Sequence, residues 1–260
     1  MKFKAPSISQ ANSTPTPKPV NTPQQKPHIN VVFCIPGREF TGNFLQSWTN
    51  LCNTLYQNGI TFALSNAYSP VVYYARTACL RGHVLRGRKQ KPFNEEFTYD
   101  YIMWIDSDIV FSPDQVLTLI RKMQEKPQMQ MLSGVYLMAD GHHTTCVDEW
   151  DEEFFSNNGS FQFLTKDDMN KKMMLPEVQS NGGLFECVYI GFGFLMIRAG
   201  VHEQFEYPFF KPQFHELKGG EIYDFSSEDA SFFLELREKN IKCYVDPTIM
   251  VGHEKMVVLR

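Results

Sequence analysis

The chain alternates short, nearly continuous apolar runs with stretches of helical spacing. Ile29 to Ile35 is the first run, and it stops at Pro36-Gly37, a chain-turning pair. Such a run, apolar at every position, suits a strand buried on both faces. Asn43 to Asn58 has helical spacing and is expected to close at Gly59. A second strand is read in "ITFALS", a third in "YDYIMWI" and a fourth in "QMQMLSGVYLM". Between them, "SPVVYYARTACLRGHVL" and "SPDQVLTLIRKMQEKP" each open with Ser-Pro, a helix start with Ser as N-cap and Pro at the first position. Strand and helix in strict alternation predict an α/β fold with a mostly parallel central sheet flanked by helices. Ligands of such sheets bind beyond the carboxyl ends of the strands. That points at three loops, Pro36 to Phe40, Asn66 to Ser69 and Asp106 to Asp108.

The alternation lapses from about Asp140 to Gly183, a polar stretch with an acidic segment, "DEWDEEF", and a hairpin expected around "SNNGS". Beyond it come the apolar "LFECVYIGFGFLMIRAGV", a Pro/Phe-rich loop, a helix in "SSEDASFFLELREKN", and two short strands, "IKCYVD" and "TIMVGH". Residues 1–27 are of different material, rich in Pro, Thr and Gln, and are expected to be a disordered tail. The remaining 28–260 are read as a single domain, with 28–139 as one half and 140–260 as the other.

Composition narrows the function classes. Against 29 acidic residues stand 25 basic ones, a formal net charge of -4, so nucleic acid is not the expected partner. No apolar run approaches the ~20 residues that span a bilayer. The N-terminal residues also lack the apolar core of a signal peptide. The expectation is a soluble, cytoplasmic protein. The six cysteines are scattered without a Cys-x-x-Cys pair and are read as reduced thiols.

The strongest chemical signal is "YIMWIDSDIVF", in which an apolar strand delivers Asp106 and Asp108 one residue apart at its carboxyl end, flanking Ser107. Two such carboxylates suit a hard divalent cation; the plain alternative is an Asx turn into the next helix. In Ser226-Ser227-Glu228-Asp229 an N-terminal helix cap is expected, with Ser226 as cap and Asp229 three residues on. The helix dipole favours negative charge there, and a positioned carboxylate is what a general base requires. His253 follows a late strand and can complete a metal's ligands. Arg38, in the turn after the first strand, and Arg76 and Arg81, placed on the helix after the second, are candidate diphosphate cations. "HHTTC" has no second half to form a zinc site.

Taken in order from about His28 to Lys255, these segments resemble the GT-A nucleotide-sugar glycosyltransferases, and most closely the small family-two-like enzymes of viruses, phages and bacteria. "VVFCIPGREF" resembles their first strand and nucleotide loop, "YYARTACLRG" their donor-side Arg segment with Thr77 in place of the frequent Asn, and "WIDSDIVF" their D-x-D. "VYIGFGFLMIRAGV" resembles their acceptor-side turn, "SSEDASFFLELREKN" their Glu-Asp helix and "VGHEK" their late metal-binding His. The resemblance implies transfer of a sugar from a UDP- or GDP-sugar to a glycan or other hydroxyl acceptor, with inversion. It implies Mn²⁺ or Mg²⁺ on Asp106, Asp108 and His253, and Asp229, or secondarily Glu228, as base. Pro36, Gly37, Arg38, Glu39, Asn66, Arg76, Asp106, Ser107 and Asp108 would bind the donor. Gly191, Phe192, Gly193 and Trp150 would face the acceptor, together with the Asp140–Gly183 stretch and the Tyr207–His215 loop, with Trp150, Phe154 and Phe192 stacking on a sugar. Two rival readings are a phosphatase of the haloacid-dehalogenase type, whose nucleophile strand also ends in D-x-D, and a non-catalytic sugar-binding module. Against the first, Asp108 is followed by Ile109-Val110 rather than Gly-Thr.

Overall fold

A computed structural model describes residues 25–255; most of the tail expected at 1–27 lies outside the described residues. The strands are β1 (His28–Pro36), β2 (Phe62–Ala67), β3 (Thr98–Ile105), β4 (Ile109–Val110), β5 (Met131–Val135), β6 (Cys146–Val147), β7 (Phe185–Cys187), β8 (Tyr189–Ile190), β9 (Phe194–Arg198), β10 (Gln213–Leu217), β11 (Ile222–Ser226), β12 (Cys243–Met250) and β13 (Gly252–His253). The helices are α1 (Gly42–Gln57), α2 (Val72–Cys79), α3 (Pro113–Glu125), α4 (Glu152–Asn158), α5 (Lys166–Met173), α6 (Pro176–Ser180) and α7 (Glu228–Glu238). One seven-stranded sheet dominates, in the order β2-β1-β3-β9-β5-β12-β7. In it β2, β1, β3, β5 and β12 run one way, and β9 and β7 run the other. The sheet is mixed and mostly parallel, as the alternation of elements predicts.

The apolar runs become the central strands because both sheet faces are covered. Val31 to Ile35 and Tyr101 to Ile105 are buried throughout, and neighbours in each strand feed opposite cores. Val32 and Trp104 belong to the core shared with α7, whereas Val31, Phe33 and Met103 pack with α1 and α3. At the heads of α1 and α3 local side chains cap the helix. Thr41 Oγ1 accepts from Phe44 N–H at 3.1 Å to cap α1, and the Gln115 side chain accepts from Ser112 N–H at 2.8 Å at the head of α3.

Several expectations are corrected. The Ser69-Pro70 start is displaced: Ser69 Oγ accepts from Val71 N–H at 3.2 Å as a turn, and α2 begins at Val72. That helix ends at Cys79, so Arg81 is not on it. Arg81 sits in a turn with a φ of 57° and pairs with Glu96 on the surface. No hairpin forms at "SNNGS". Asp151 accepts from Phe154 N–H at 2.7 Å and Gly159 closes the segment at a φ of 66°, which makes it the helix α4. The two late strands are one strand, β12, irregular between Val245 and Met250, followed by the two-residue β13. All six cysteines are free thiols, and among the described residues no helix is long and apolar enough to cross a membrane.

Candidate active site

The three loops at the carboxyl ends of β1, β2 and β3 converge. Gly37, at a φ of 145°, lies so close to the next loop that an added Cβ would stand 2.9 Å from Ser107 Cβ and Oγ. Only glycine combines that backbone with that approach. Asn66 ties the second loop to the first, donating to Ile35 O at 2.7 Å and Gly37 O at 2.8 Å. Its amide N–H groups are thereby spent on shaping the loop. Arg38 is exposed; it pairs with Glu39 at 3.1 Å and lies 4.8 Å from the ring centroid of Tyr68, itself exposed.

The D-x-D pair follows β3, with Asp106 N–H donating to Gly193 O at 3.0 Å and Ile109 N–H to Asp106 O at 3.1 Å. Its two carboxylates have different partners. Asp106 faces Arg76, whose Nη1 and Nη2 donate to its two oxygens at 3.1 and 3.3 Å. Arg76 Nε donates to Glu228 Oε1 at 3.1 Å, so one guanidinium joins the D-x-D loop to the head of α7. The arginine is 5% exposed and packs under Phe192, whose ring centroid is 4.9 Å away, and near Trp104 at 5.7 Å. Burial opposes the charge on Arg76, but Asp106 and Glu228 outweigh it and hold the guanidinium pKa above its ordinary value. Glu228 is also buried; burial, then the neighbouring Asp229 charge, push its carboxyl up against the pull of Arg76.

Asp108 meets the C-terminal residues. β13 pairs antiparallel with β4, setting Gly252 opposite Val110 and His253 opposite Ile109. Glu254 N–H donates to Asp108 O at 2.8 Å in the same ladder. This brings His253 Nε2 within 3.1 Å of Asp108 Oδ2, across 145 residues of sequence. Lys255 Nζ donates to the same oxygen at 2.7 Å. Burial works against the Asp108 charge, yet hydrogen bonds from His253 and Lys255 bring its carboxyl down to about 2. The carboxylate in turn raises the His253 pKa. The imidazole is oriented from behind, its Nδ1–H donating to Leu137 O at 2.7 Å and its ring edge-on to Tyr136 at 5.1 Å.

The structure thus brings Asp108 to His253 and Asp106 to Arg76. Among the described residues no cluster of three His, Cys, Asp or Glu side chains is close enough to hold an ion. The donor chemistry nevertheless suits one. A carboxylate oxygen and an imidazole nitrogen face each other, the far ring nitrogen is engaged by a backbone carbonyl as in metal-binding histidines, and Lys255 already places a cation on Asp108.

At the head of α7 the cap is Ser227, not Ser226, and its side chain accepts from Ala230 N–H. Ser226 ends β11 and is paired with Gln213 across the hairpin, so the helix begins one residue later than expected. Of the two acids, Glu228 is buried and bound by Arg76, while Asp229 is partly exposed. Asp229 is held by Ala230 N–H at 2.8 Å, by Tyr189 Oη–H at 2.7 Å and by Ser227 Oγ. Phe192 is 1% exposed and lies over Arg76, so it does not stack on a sugar. Gly191 and Gly193 are buried beside it and serve the D-x-D loop, with Tyr136 Oη accepting from Gly193 N–H at 2.9 Å. Trp150 lines a cavity beside the head of α7, with α4 and the β10–β11 hairpin. Lys255 and Tyr189 lie within "VGHEK" and "VYIGFGFLMIRAGV", but nothing in those segments marks either as a site residue.

No family model and no curated protein matches the chain. Solved structures give loose likenesses. The catalytic domain of Drosophila β1,4-galactosyltransferase 7 in complex with xylobiose aligns over 88% of this chain and 71% of its own, at 12% identity and a TM-score of 0.45. Glucosyl-3-phosphoglycerate synthase from Mycobacterium tuberculosis, in complex with phosphoglyceric acid, aligns over 88% and 73%, at 10% identity and a TM-score of 0.42. In complex with Mn²⁺ and UDP-glucose the figures are 88%, 73%, 10% and 0.40.

Proposed function

We propose that the chain is a GT-A-type glycosyltransferase, using a divalent cation to move a sugar from a nucleoside diphosphate to a hydroxyl acceptor with inversion. The observation that carries this reading is the convergence of two acidic centres at the carboxyl end of the sheet, Asp106 and Asp108 after β3 and Glu228 and Asp229 at α7, joined by the buried Arg76. Asp108, His253 and Asp106 would hold Mn²⁺ or Mg²⁺. When bound, the cation neutralises the leaving diphosphate. The Pro36–Phe40 turn and Ser107 form the donor floor, with Asn66 holding its shape and Arg38 and Tyr68 at its exposed edge. Arg76 is assigned a positioning role in place of a direct phosphate contact, because its guanidinium is committed to two carboxylates. Asp229 takes the proton of the acceptor hydroxyl as that oxygen attacks the anomeric carbon, and Tyr189 and Ala230 N–H keep the carboxylate in place.

Against a phosphatase of the haloacid-dehalogenase type, Asp108 is followed by Ile109-Val110 where such an enzyme carries Gly-Thr. Heating the protein with Mn²⁺ and a panel of nucleotides and nucleotide sugars tests the donor assignment. At a hundredfold excess over Kd, a ligand of the folded state adds about 2.7 kcal/mol. Stabilisation by a nucleoside diphosphate or its sugar is expected, and no response to any member would overturn the assignment.

A further inference from the structure

Beside the head of α7 lies a cavity of about 500 Å³, within the range of small-molecule sites. Trp150, Phe155 and Phe161 supply aromatic walls, and Ser227, which hydrogen-bonds Asp229, lies at its edge. Three carboxylates, Asp151, Glu152 and Asp224, line it against one guanidinium, Arg237. The β10–β11 hairpin walls the cavity with His215, Leu217 and Asp224, which share one of its faces. Phe214 stands opposite Phe225, and Glu216 opposite Tyr223, which puts Phe214, Tyr223 and Phe225 on the other face. These rings are 73%, 71% and 60% exposed, where an aromatic side chain would ordinarily be covered. Phe214 and Tyr223 lie nearly parallel, at 11° and 5.9 Å between centroids, with Phe225 6.1 Å from Phe214. Phe225 belongs to both surfaces, since it also borders the cavity.

From this arrangement we infer that the acceptor is an oligosaccharide, with its terminal sugar in the cavity and the following sugars on the aromatic face of the hairpin. The inference rests on the glycosyltransferase reading and names its acceptor class. A pyranose has apolar C–H faces and a rim of hydroxyl donors. The rings match the faces, and the carboxylates match the rim as charge-assisted acceptors. Glu216 on the ring face and the carboxylates of the cavity disfavour the other partners of an exposed aromatic patch, an anionic membrane surface and a nucleic acid.

Binding measured by calorimetry without donor or metal separates this claim from the donor assignment. Mono- to hexasaccharide series of β-1,4-linked glucose, β-1,4-linked N-acetylglucosamine and α-1,4-linked glucose serve as probes. In at least one series affinity should rise with chain length. Phe214→Ser/Tyr223→Ser, two exposed positions that do not line the cavity, should weaken hexasaccharide binding roughly tenfold, the scale of two lost ring contacts. Monosaccharide binding should be unchanged. Affinity independent of chain length, an unaltered hexasaccharide affinity in the double variant, or no binding in any series would overturn the inference. So would binding of anionic vesicles in place of sugars. If the sugars bind as expected while no nucleotide stabilises the protein, the donor reading alone fails.

Discussion

Asp229→Asn is expected to bind donor and cation as the parent does and to lose sugar transfer by ~10²–10⁴, the usual cost of removing a general base. The geometry favours Asp229 over its neighbour for a simple reason. Glu228 is buried and bound to Arg76, whereas Asp229 is partly exposed and fixed by Tyr189 and Ala230 N–H. Asparagine is nearly isosteric: its oxygen can accept from Ala230 N–H while its amide donates to Tyr189 Oη, so the loss falls on proton transfer and not on the fold. Single-turnover transfer to a saturating acceptor, with donor affinity measured in parallel, reads the two apart. NMR of the fresh product should show inversion at the anomeric carbon. Near-normal transfer by Asp229→Asn, or retained configuration, would remove Asp229 from the base role.

Arg76→Met should cost the fold roughly 3–5 kcal/mol, because removing one partner of a buried ion pair leaves the other charge uncompensated. Here Glu228 would be stranded in the core and Asp106 released toward the site. Methionine keeps much of the packing under Phe192, which isolates the electrostatic loss. Urea denaturation of Arg76→Met, Glu228→Gln and the double variant gives the test. The double variant should be less destabilised than the sum of the singles, since a neutral glutamine in place of Glu228 no longer needs a counter-charge. Additive losses would mean that Arg76 and Glu228 are independent. An Arg76→Met protein as stable as the parent, with weakened nucleotide binding, would restore the direct phosphate contact expected from sequence.

The contrast between Arg76 and Asp106 shows which features of the site are legible in a sequence. Asp106 and Asp108 stood out because local order suffices: an apolar strand, a turn and two acids fix where the carboxylates emerge. The alternation of β1, β2, β3 and β5 with α1 to α3 was legible for the same reason, with Ser112-Pro113 marking one helix start. The partners of Arg76 depend on how α2, α7 and the loop after β3 come together, which no local pattern encodes. Likewise the pairing of His253 with Asp108 rests on a two-residue ladder joining positions 145 apart. Lys255 arrives beside them just after that same ladder, at the end of a segment in which only His253 carries a metal-site signal. At α7 the ambiguity was one residue wide. Ser226 and Ser227 are equivalent as caps in sequence, and only the commitment of Ser226 to the hairpin decides between them. The segment at "SNNGS" misled because Asn-Gly suits a hairpin turn as well as a helix end, and the cap at Asp151 settles it.

Cation-dependent binding of a nucleoside diphosphate at Asp106, Asp108 and His253 underlies every step proposed above, and calorimetry puts it to the test. UDP and GDP are titrated into the parent protein with Mn²⁺, into the parent in excess chelator, and into Asp108→Ala with Mn²⁺. Binding of at least one nucleotide is expected in the first case, with its loss in chelator and a marked weakening in the variant. Equal affinity under all three conditions would refute a metal-held donor at this site.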